Sequence, residues 1–318
     1  MPDIALFGAA GAIGRTVADA LRAEGRPYRV VGRHRETLER EFGADPSAEI
    51  ATWDPDDAAS VRRAASGITT IVYLVGVPYD QFSKHPEIMR KTLEGAIAAG
   101  VSQMLLVGTV YPYGLPQTTP VREDHPREPH TFKGRMRKIQ EDLLLDADAR
   151  GAIRGTVLRL PDFYGPGITA SFLHDAFAAA VSRRRANLVG LIDRPHEFLY
   201  VPDAGPVITA LSANPGAYGR VWHFAGAGTI TQRDFAERIF KAAGAEPKFL
   251  VANKLMLRAL GMFDPFMREL VEMNYLMSDP VIMDDSAIHG LLGPLHKTSY
   301  DEGIRTTLEA QLREKTAV

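Results

Sequence analysis

The stretch "DIALFGAAGAIGRTVADALRAEG", residues 3–25, constrains the fold more than any other. A short apolar run gives way to three glycines, Gly8, Gly11 and Gly14, and an amphipathic segment follows that ends at Gly25. In a strand–turn–helix unit the glycines have separate tasks. One permits the tight turn, one lets backbone amides approach a bound group, and one lets the helix pack closely on the strand. The unpaired N–H groups and the dipole at the helix start then favour an anion. With Ala10, Ala12 and Ile13 between the glycines, the loop reads as a cradle for a dinucleotide pyrophosphate. The N-terminus also resembles the apolar core of a signal peptide. No basic segment precedes it and the glycines are spaced for a turn, so it is expected to belong to the fold.

Strand and helix signals alternate after the loop. "YRVVGR", "AEIATWD", "TTIVYLVG", "SQMLLVGTV" and "GTVLRLP" read as strands, separated by helical segments such as "RETLEREFG" and "KGRMRKIQEDLLLDAD". "TTIVYLVG" is apolar throughout, as expected of a strand buried on both faces. The expected fold class is α/β, a Rossmann-type doubly wound parallel sheet with a smaller C-terminal substrate region. Residues 1–165 would form the dinucleotide-binding domain, completed by about 199–226, where "EFLYVPDAGPVITALSAN" and "RVWHFAG" return to the sheet. Residues 166–198 and 227–318 would form the substrate-binding region.

Cofactor preference is read at the second strand. An NAD site usually carries an acid there for the ribose 2′-hydroxyl. This chain has "VVGRHRE", with Gly32 in the way of nothing and Arg33 and Arg35 as two guanidiniums. Arginine offers phosphate a fork of donors, so NADP is expected and NAD is the lesser alternative. The other reading makes these arginines solvated residues of a helix start. Arg15 follows the third glycine and could reach the phosphates. Asp54, ending the third strand, would bond the adenine amino group. Leu74, Val75 and Gly76 would lie along the nicotinamide-side ribose, and Leu160, ending the sixth strand, would complete the pocket.

Four segments carry a resemblance to a family: "GAAGAIG", "LLVGTVYPYG", "VLRLPDFYGPG" and "RPHEFLYVPDAG". Over most of the chain they resemble the short-chain dehydrogenase/reductases, in the extended and atypical branch related to sugar-nucleotide epimerases. The resemblance puts Thr109 at the catalytic hydroxyl position, beside the nicotinamide, with Tyr113 and Gly114 as the Tyr-Gly pair that follows. The family's Tyr-x-x-x-Lys is missing from "HTFKGRMRK", residues 130–138. Aligning Gly134 and Glu141 with the usual helix puts Lys133 at the tyrosine position and Arg137 at the lysine position; a one-residue shift would give Phe132 and Met136. The run "KGRMRKIQE" is similar to that of the isoflavone reductase and phenylcoumaran benzylic ether reductase group, whose lysine transfers the proton. That resemblance implies Lys133 as proton donor in contact with the cofactor, and Arg137 as ribose ligand.

The chemistry permits this. A lysine ammonium, ordinarily at about 10.4, becomes a better donor when buried or beside another cation, and Arg137 lies one helical turn away. The other reading leaves both as exposed basic residues, with Glu141 pairing Arg137 at the surface. Tyr111, Asp162, Phe163, Tyr164 and His196 are candidates for substrate contact, Tyr164 also as a substitute acid, and Glu197 lies beside them in sequence. "SRRR", residues 182–185, could meet a diphosphate or simply end a helix in water. The methionine-rich segment 255–283 suits an adaptable apolar pocket.

Composition narrows the rest. The chain has no cysteine, which removes disulfides and thiolate chemistry, and its nine histidines show no metal-ligand spacing. A formal net charge of −2 suggests no nucleic-acid or anionic-membrane partner, and no apolar run is long enough to span a bilayer. The expectation is a cytoplasmic monomer or homodimer acting on a small molecule, without a metal. Its expected function is NADP-dependent reduction of a carbonyl or activated double bond in a small apolar or aromatic substrate. The alternatives are a sugar-nucleotide epimerase or dehydratase and a non-catalytic, redox-sensing NADP-binding regulator.

Overall fold

The computed structural model describes residues 1–169, 171–252 and 271–316. In chain order the strands are β1 (Ile4–Phe7), β2 (Tyr28–Gly32), β3 (Ala48–Thr52), β4 (Thr70–Tyr73), β5 (Gln103–Thr109), β6 (Arg154–Leu160), β7 (Asp162–Tyr164), β8 (Ala186–Val189), β9 (Pro195–Tyr200), β10 (Arg220–His223), β11 (Thr229–Thr231) and β12 (Phe249–Ala252). The helices are α1 (Ala12–Ala23), α2 (Arg35–Phe42), α3 (Ala58–Ala64), α4 (Lys84–Ala98), α5 (Phe132–Ala149), α6 (His174–Val181), α7 (Ala204–Ala213) and α8 (Gln232–Ala242). Beyond residue 270 come α9 (Tyr275–Ser278), α10 (Ser286–Leu292) and α11 (Tyr300–Thr316).

Seven strands form one sheet in the order β10-β6-β5-β4-β1-β2-β3, and every pairing in it is parallel. Side chains alternate across β1. Ile4 and Leu6 enter one apolar layer with Val17 and Leu21 of α1 and Ile208 of α7. Ala5 and Phe7 enter the other, with Val61 of α3, Met89 of α4 and Leu144 of α5. Burial on both faces is why β1 and β4 are apolar without alternation. The chain leaves β1 toward β2 on one side and returns at β4 on the other, so the strand order reverses between β1 and β4. Parallel sheets of this kind bind ligands at that switch point, outside the carboxyl ends of the strands.

The sequence-based expectation for residues 197–214 needs correction. "EFLYV" does not return to the large sheet; β9 joins a separate three-stranded sheet, β11-β9-β7. Pro161 ends the β6 ladder by removing a donor, β7 turns away, and β10 takes the edge beside β6. The small sheet packs with α6, α8 and α11 around Phe177, Phe198, Phe235 and Tyr300. Of the methionine-rich segment, residues 253–270 lie outside the described residues, while Met273, Met277 and Met283 are buried against Val110, Tyr111 and Tyr113. No helix among the described residues is long and apolar enough to cross a membrane.

Helix α5 is held to the sheet by charge as well as by apolar contact. Glu141, 1% exposed, accepts from Nε and Nη2 of the fully buried Arg159 on β6, and from Arg127 at 3.3 Å. Removing one partner of such a pair strands the other charge without water. Glu141→Ala is expected to lower unfolding free energy by about 3–5 kcal/mol, read as a lower urea midpoint with an unchanged slope.

Candidate active site

The glycine loop has the shape its spacing predicts. Gly8 sits at φ +90°, and a Cβ there would lie 2.9 Å from the carbonyl of Leu74. Its N–H donates to Val31 O at 3.0 Å, and Gly11 N–H donates to Gly8 O at 3.1 Å. A Cβ on Gly14 would lie 2.4 Å from Ala9 O, so α1 touches the strand end as only glycine allows. Gly11 caps α1 with no side-chain hydrogen bond, and the first turn carries no acid. Gly11 is exposed, and Ala10, Ala12 and Ile13 are half-buried beside it. A loop of this shape at a helix start fits a pyrophosphate, which would take the free amides.

A cavity of about 530 Å³ opens beside the loop. Its near wall is Ile13, Leu74, Val75 and Gly76; its floor is Val107, Gly108 and Thr109 of β5 with Leu160 of β6; its far wall includes Phe172, His174, Asn187 and Val189. Asp162 and Phe163 of β7 lie between. Three residues that no motif signalled also line it: Tyr79, Phe82 and His85, from the turn after β4 and the start of α4.

The polar groups of the cavity are ordered. Thr109 Oγ1 accepts the Tyr111 backbone N–H at 3.3 Å. The Tyr111 and Tyr79 hydroxyls are 3.1 Å apart. Asp162 accepts from His196 Nε2 at 2.8 Å, so His196, 5% exposed, meets the cavity only through that carboxylate. Arg137 reaches the cavity floor while buried. It donates to Gln140 Oε1 at 2.6 Å, Val107 O at 3.2 Å and His85 Nδ1 at 3.4 Å. Burial lowers the Arg137 pKa, and burial and then Arg137 push His85 down to about 2, so His85 accepts as a neutral ring. Glu141, the surface partner expected for Arg137, instead holds Arg159.

Lys133 is shielded from water and lies behind the cavity wall, not among its lining residues. It is 1% exposed, and its Nζ lies 2.7 Å from Glu272 Oε2. The other oxygen of Glu272 accepts the Lys133 backbone N–H at 3.0 Å. The rings of Tyr79 and Phe82 flank the ammonium, each centroid 5.7 Å away. Phe132, its neighbour in the shifted alignment, is 44% exposed, so Lys133 and Arg137 are the inward pair of α5. Thr131 caps this helix by accepting Gly134 N–H at 3.0 Å, which sets the rotation.

The remaining expected residues spread more widely. Arg33, Arg35 and Asp54 are exposed after β2 and β3; Arg35 lies 3.3 Å from Glu39, and Asp54 accepts the Asp56 N–H. Arg15 faces Glu41 at 3.6 Å. Tyr164 is 1% exposed and packs against Phe177, Phe235 and Tyr300, away from the cavity lining. Glu197 is also buried and pushed up to about 7 by desolvation, while accepting Met283 N–H at 3.1 Å. Residues 182–185 are exposed, with Arg184 paired to Asp175. Among the described residues, no group of three or more His, Cys, Asp or Glu is placed to hold a metal ion.

Residues 4–223 match the NAD dependent epimerase/dehydratase family. The chain belongs to that family. A curated relative, dTDP-6-deoxy-L-talose 4-dehydrogenase (NAD(P)(+)) of Kitasatospora kifunensis, is 29% identical over 194 residues, 58% of this chain and 59% of that enzyme. The chain thus spans under two thirds of that relative's length. A double mutant of dTDP-glucose 4,6-dehydratase from Streptomyces venezuelae, solved with NAD bound, superposes with a TM-score of 0.83 at 18% identity, over 99% of this chain and 98% of that one. UDP-glucuronic acid 4-epimerase from Bacillus cereus in complex with NAD superposes at 0.81 with 15% identity, over 98% and 99%. These likenesses show the extended short-chain fold. None of the three is an isoflavone reductase.

Two substitutions test the geometry. In Gly8→Val a branched side chain at φ +90° meets the Leu74 carbonyl, costing about 1–3 kcal/mol, and any rise in Tm on adding NADH or NADPH is expected to vanish. In Lys133→Met, Glu272 loses its ammonium; a stability loss of about 3 kcal/mol is expected by urea unfolding. A loss below about 0.5 kcal/mol, the range of ordinary surface changes, would show that the buried pair does not form in solution.

Proposed function

We propose that this protein is a nicotinamide-dinucleotide-dependent oxidoreductase of the extended short-chain type, acting at a hydroxyl or keto carbon of a sugar nucleotide. One observation carries the reading. A single cavity joins the glycine-loop side, at Ile13 and Leu74–Gly76, to the polar group Thr109, Tyr111, Tyr79 and Asp162. That is the arrangement hydride transfer needs: a cofactor bed at one end and hydrogen-bonding groups for the reacting oxygen at the other. Family membership and the sugar-nucleotide relatives favour a sugar nucleotide over the aromatic substrate expected from sequence.

In this reading the loop amides take the pyrophosphate, Asp54 the adenine, Leu74–Gly76 the nicotinamide ribose side, and Leu160 the nicotinamide face. The nicotinamide supplies or receives the hydride when bound. Thr109 orients the substrate oxygen. Arg137 holds ribose hydroxyls from the cavity floor while bracing the Val107 carbonyl. Arg33 and Arg35, exposed just after β2, are what supports NADP; the two structural relatives named above hold NAD.

The cavity's lining favours a second reading, reduction of a small apolar carbonyl or activated alkene. Leu74, Val75, Val77, Phe82, Phe163 and Phe172 dominate its walls, and among the described lining residues Arg137 is the one permanent cation. Among the described residues a substrate diphosphate has few partners there. The test is direct: titrate NADH and NADPH, then follow their oxidation with dTDP- and UDP-linked 4-keto sugars and with a panel of aldehydes, ketones and enones. Turnover of the keto sugars is expected. Turnover confined to apolar carbonyls supports the second reading. Absence of dinucleotide binding would sink both.

A further inference from the structure

In the family pattern the proton comes from a tyrosine one turn before a lysine. Here that position is Lys133, whose ammonium is engaged with Glu272 outside the cavity lining. A hydride acceptor still needs a proton on its oxygen, so another donor must line the cavity. Tyr111 is placed for this. It follows Thr109 by two residues, at the start of the short turn Tyr111–Tyr113, and its backbone N–H is tied to the Thr109 hydroxyl. Its ring lies parallel to Phe82 at 6.4 Å and is 8% exposed. Its hydroxyl is 3.1 Å from that of Tyr79. A hydroxyl that accepts from one neighbour keeps its own hydrogen for a third group. With Tyr79 donating, the Tyr111 hydrogen is available to an oxygen in the cavity.

We propose that Tyr111, backed by Tyr79, is the proton donor of a carbonyl reduction in this cavity. The proposal rests on the oxidoreductase reading above and adds the donor. The carbonyl carbon gains a hydride, with its electron pair, from a reduced nicotinamide dinucleotide. The C=O π pair moves onto oxygen. That oxygen takes the proton as the Tyr111 O–H bond breaks, giving the alcohol. The phenolate on Tyr111 takes the Tyr79 proton across their hydrogen bond, and Tyr79 is reprotonated by water. The sum is one hydride and one proton added to the carbonyl.

The surroundings hold the pair in its protonated form. Tyr79 on the turn after β4, Asp162 on β7, Tyr275 on α9 and Arg137 on α5 are the titratable or charged groups that act on Tyr111. Burial first, then Tyr79 and the Asp162 carboxylate, raise the Tyr111 pKa well above the ordinary phenol value; burial and Asp162 raise that of Tyr79, against the lowering effects of the hydrogen bond and Arg137. His196 fixes Asp162 at 2.8 Å. Both phenols therefore stay protonated at neutral pH, the form in which Tyr111 can donate to a developing alkoxide.

The experiment uses Tyr111→Phe and Tyr79→Phe, which keep the rings in place. Tyr111→Phe is expected to lower kcat about a hundredfold or more, with dinucleotide affinity and KM within about threefold of wild type. Tyr79→Phe, a change to the positioning partner, is expected to lower kcat about tenfold. A second readout needs no turnover. In protein with ring-labelled tyrosine and no dinucleotide, the Tyr111 NMR signal should shift in Tyr79→Phe and again in Asp162→Asn. Unchanged kcat in Tyr111→Phe, in an enzyme that reduces its substrate, overturns the donor alone. A Tyr111 signal indifferent to both partners overturns the pairing. Dinucleotide binding without reduction of any carbonyl overturns the functional reading and the donor with it.

Discussion

The site depends on a carboxylate denied water. Glu141 lies between Arg159 and Arg127, and a side chain on Gly108 would come within 3.0 Å of its oxygen. An ion in that position is tolerable only while both its partners and its geometry are kept. The pair therefore locks the rotation and height of α5 against β5 and β6. Two consequences follow one and two turns earlier on the helix. Arg137 is delivered to the cavity floor, where it braces Val107 O, and Lys133 is delivered to Glu272. The same α5 thus shapes the cavity and ties down the segment entering α9.

Desolvation governs the chemistry as much as the fold. Several polar groups of the cavity are already bonded to a neighbour: Thr109 to Tyr111, Tyr111 to Tyr79, Asp162 to His196, and Arg137 to Gln140. Such groups resist ionisation changes that would be easy in water. His85 stays neutral beside Arg137, and the tyrosines stay protonated beside Asp162.

Much of the fold was legible in local patterns. The three glycines, the apolar run of β4 and the regular return of helix and strand marked the parallel sheet, because each depends on spacing within one element. The helix "KGRMRKIQEDLLLDAD" was legible in the same way, and the inward pairing of Lys133 with Arg137 follows from a one-turn separation. The placement of β9 was not. Its apolar end, Phe198–Tyr200, fits any buried strand, and only the occupied edge of β6 decides which sheet it joins. Tyr79, Phe82 and His85 escaped notice because "PYDQFSKH" has no period and no motif.

The sequence by itself determined the strand–loop–helix cradle and the α/β class, since glycine stereochemistry and hydrophobic period act over a few residues. Only the tertiary structure decided which polar residues share a wall. Tyr79 meets Tyr111 across 32 residues, His196 meets Asp162 across 34, and Lys133 meets Glu272 across 139. No local rule reaches that far. A buried ammonium goes to whichever carboxylate the packing brings beside it, and here packing brought Glu272, leaving the cavity to the tyrosines.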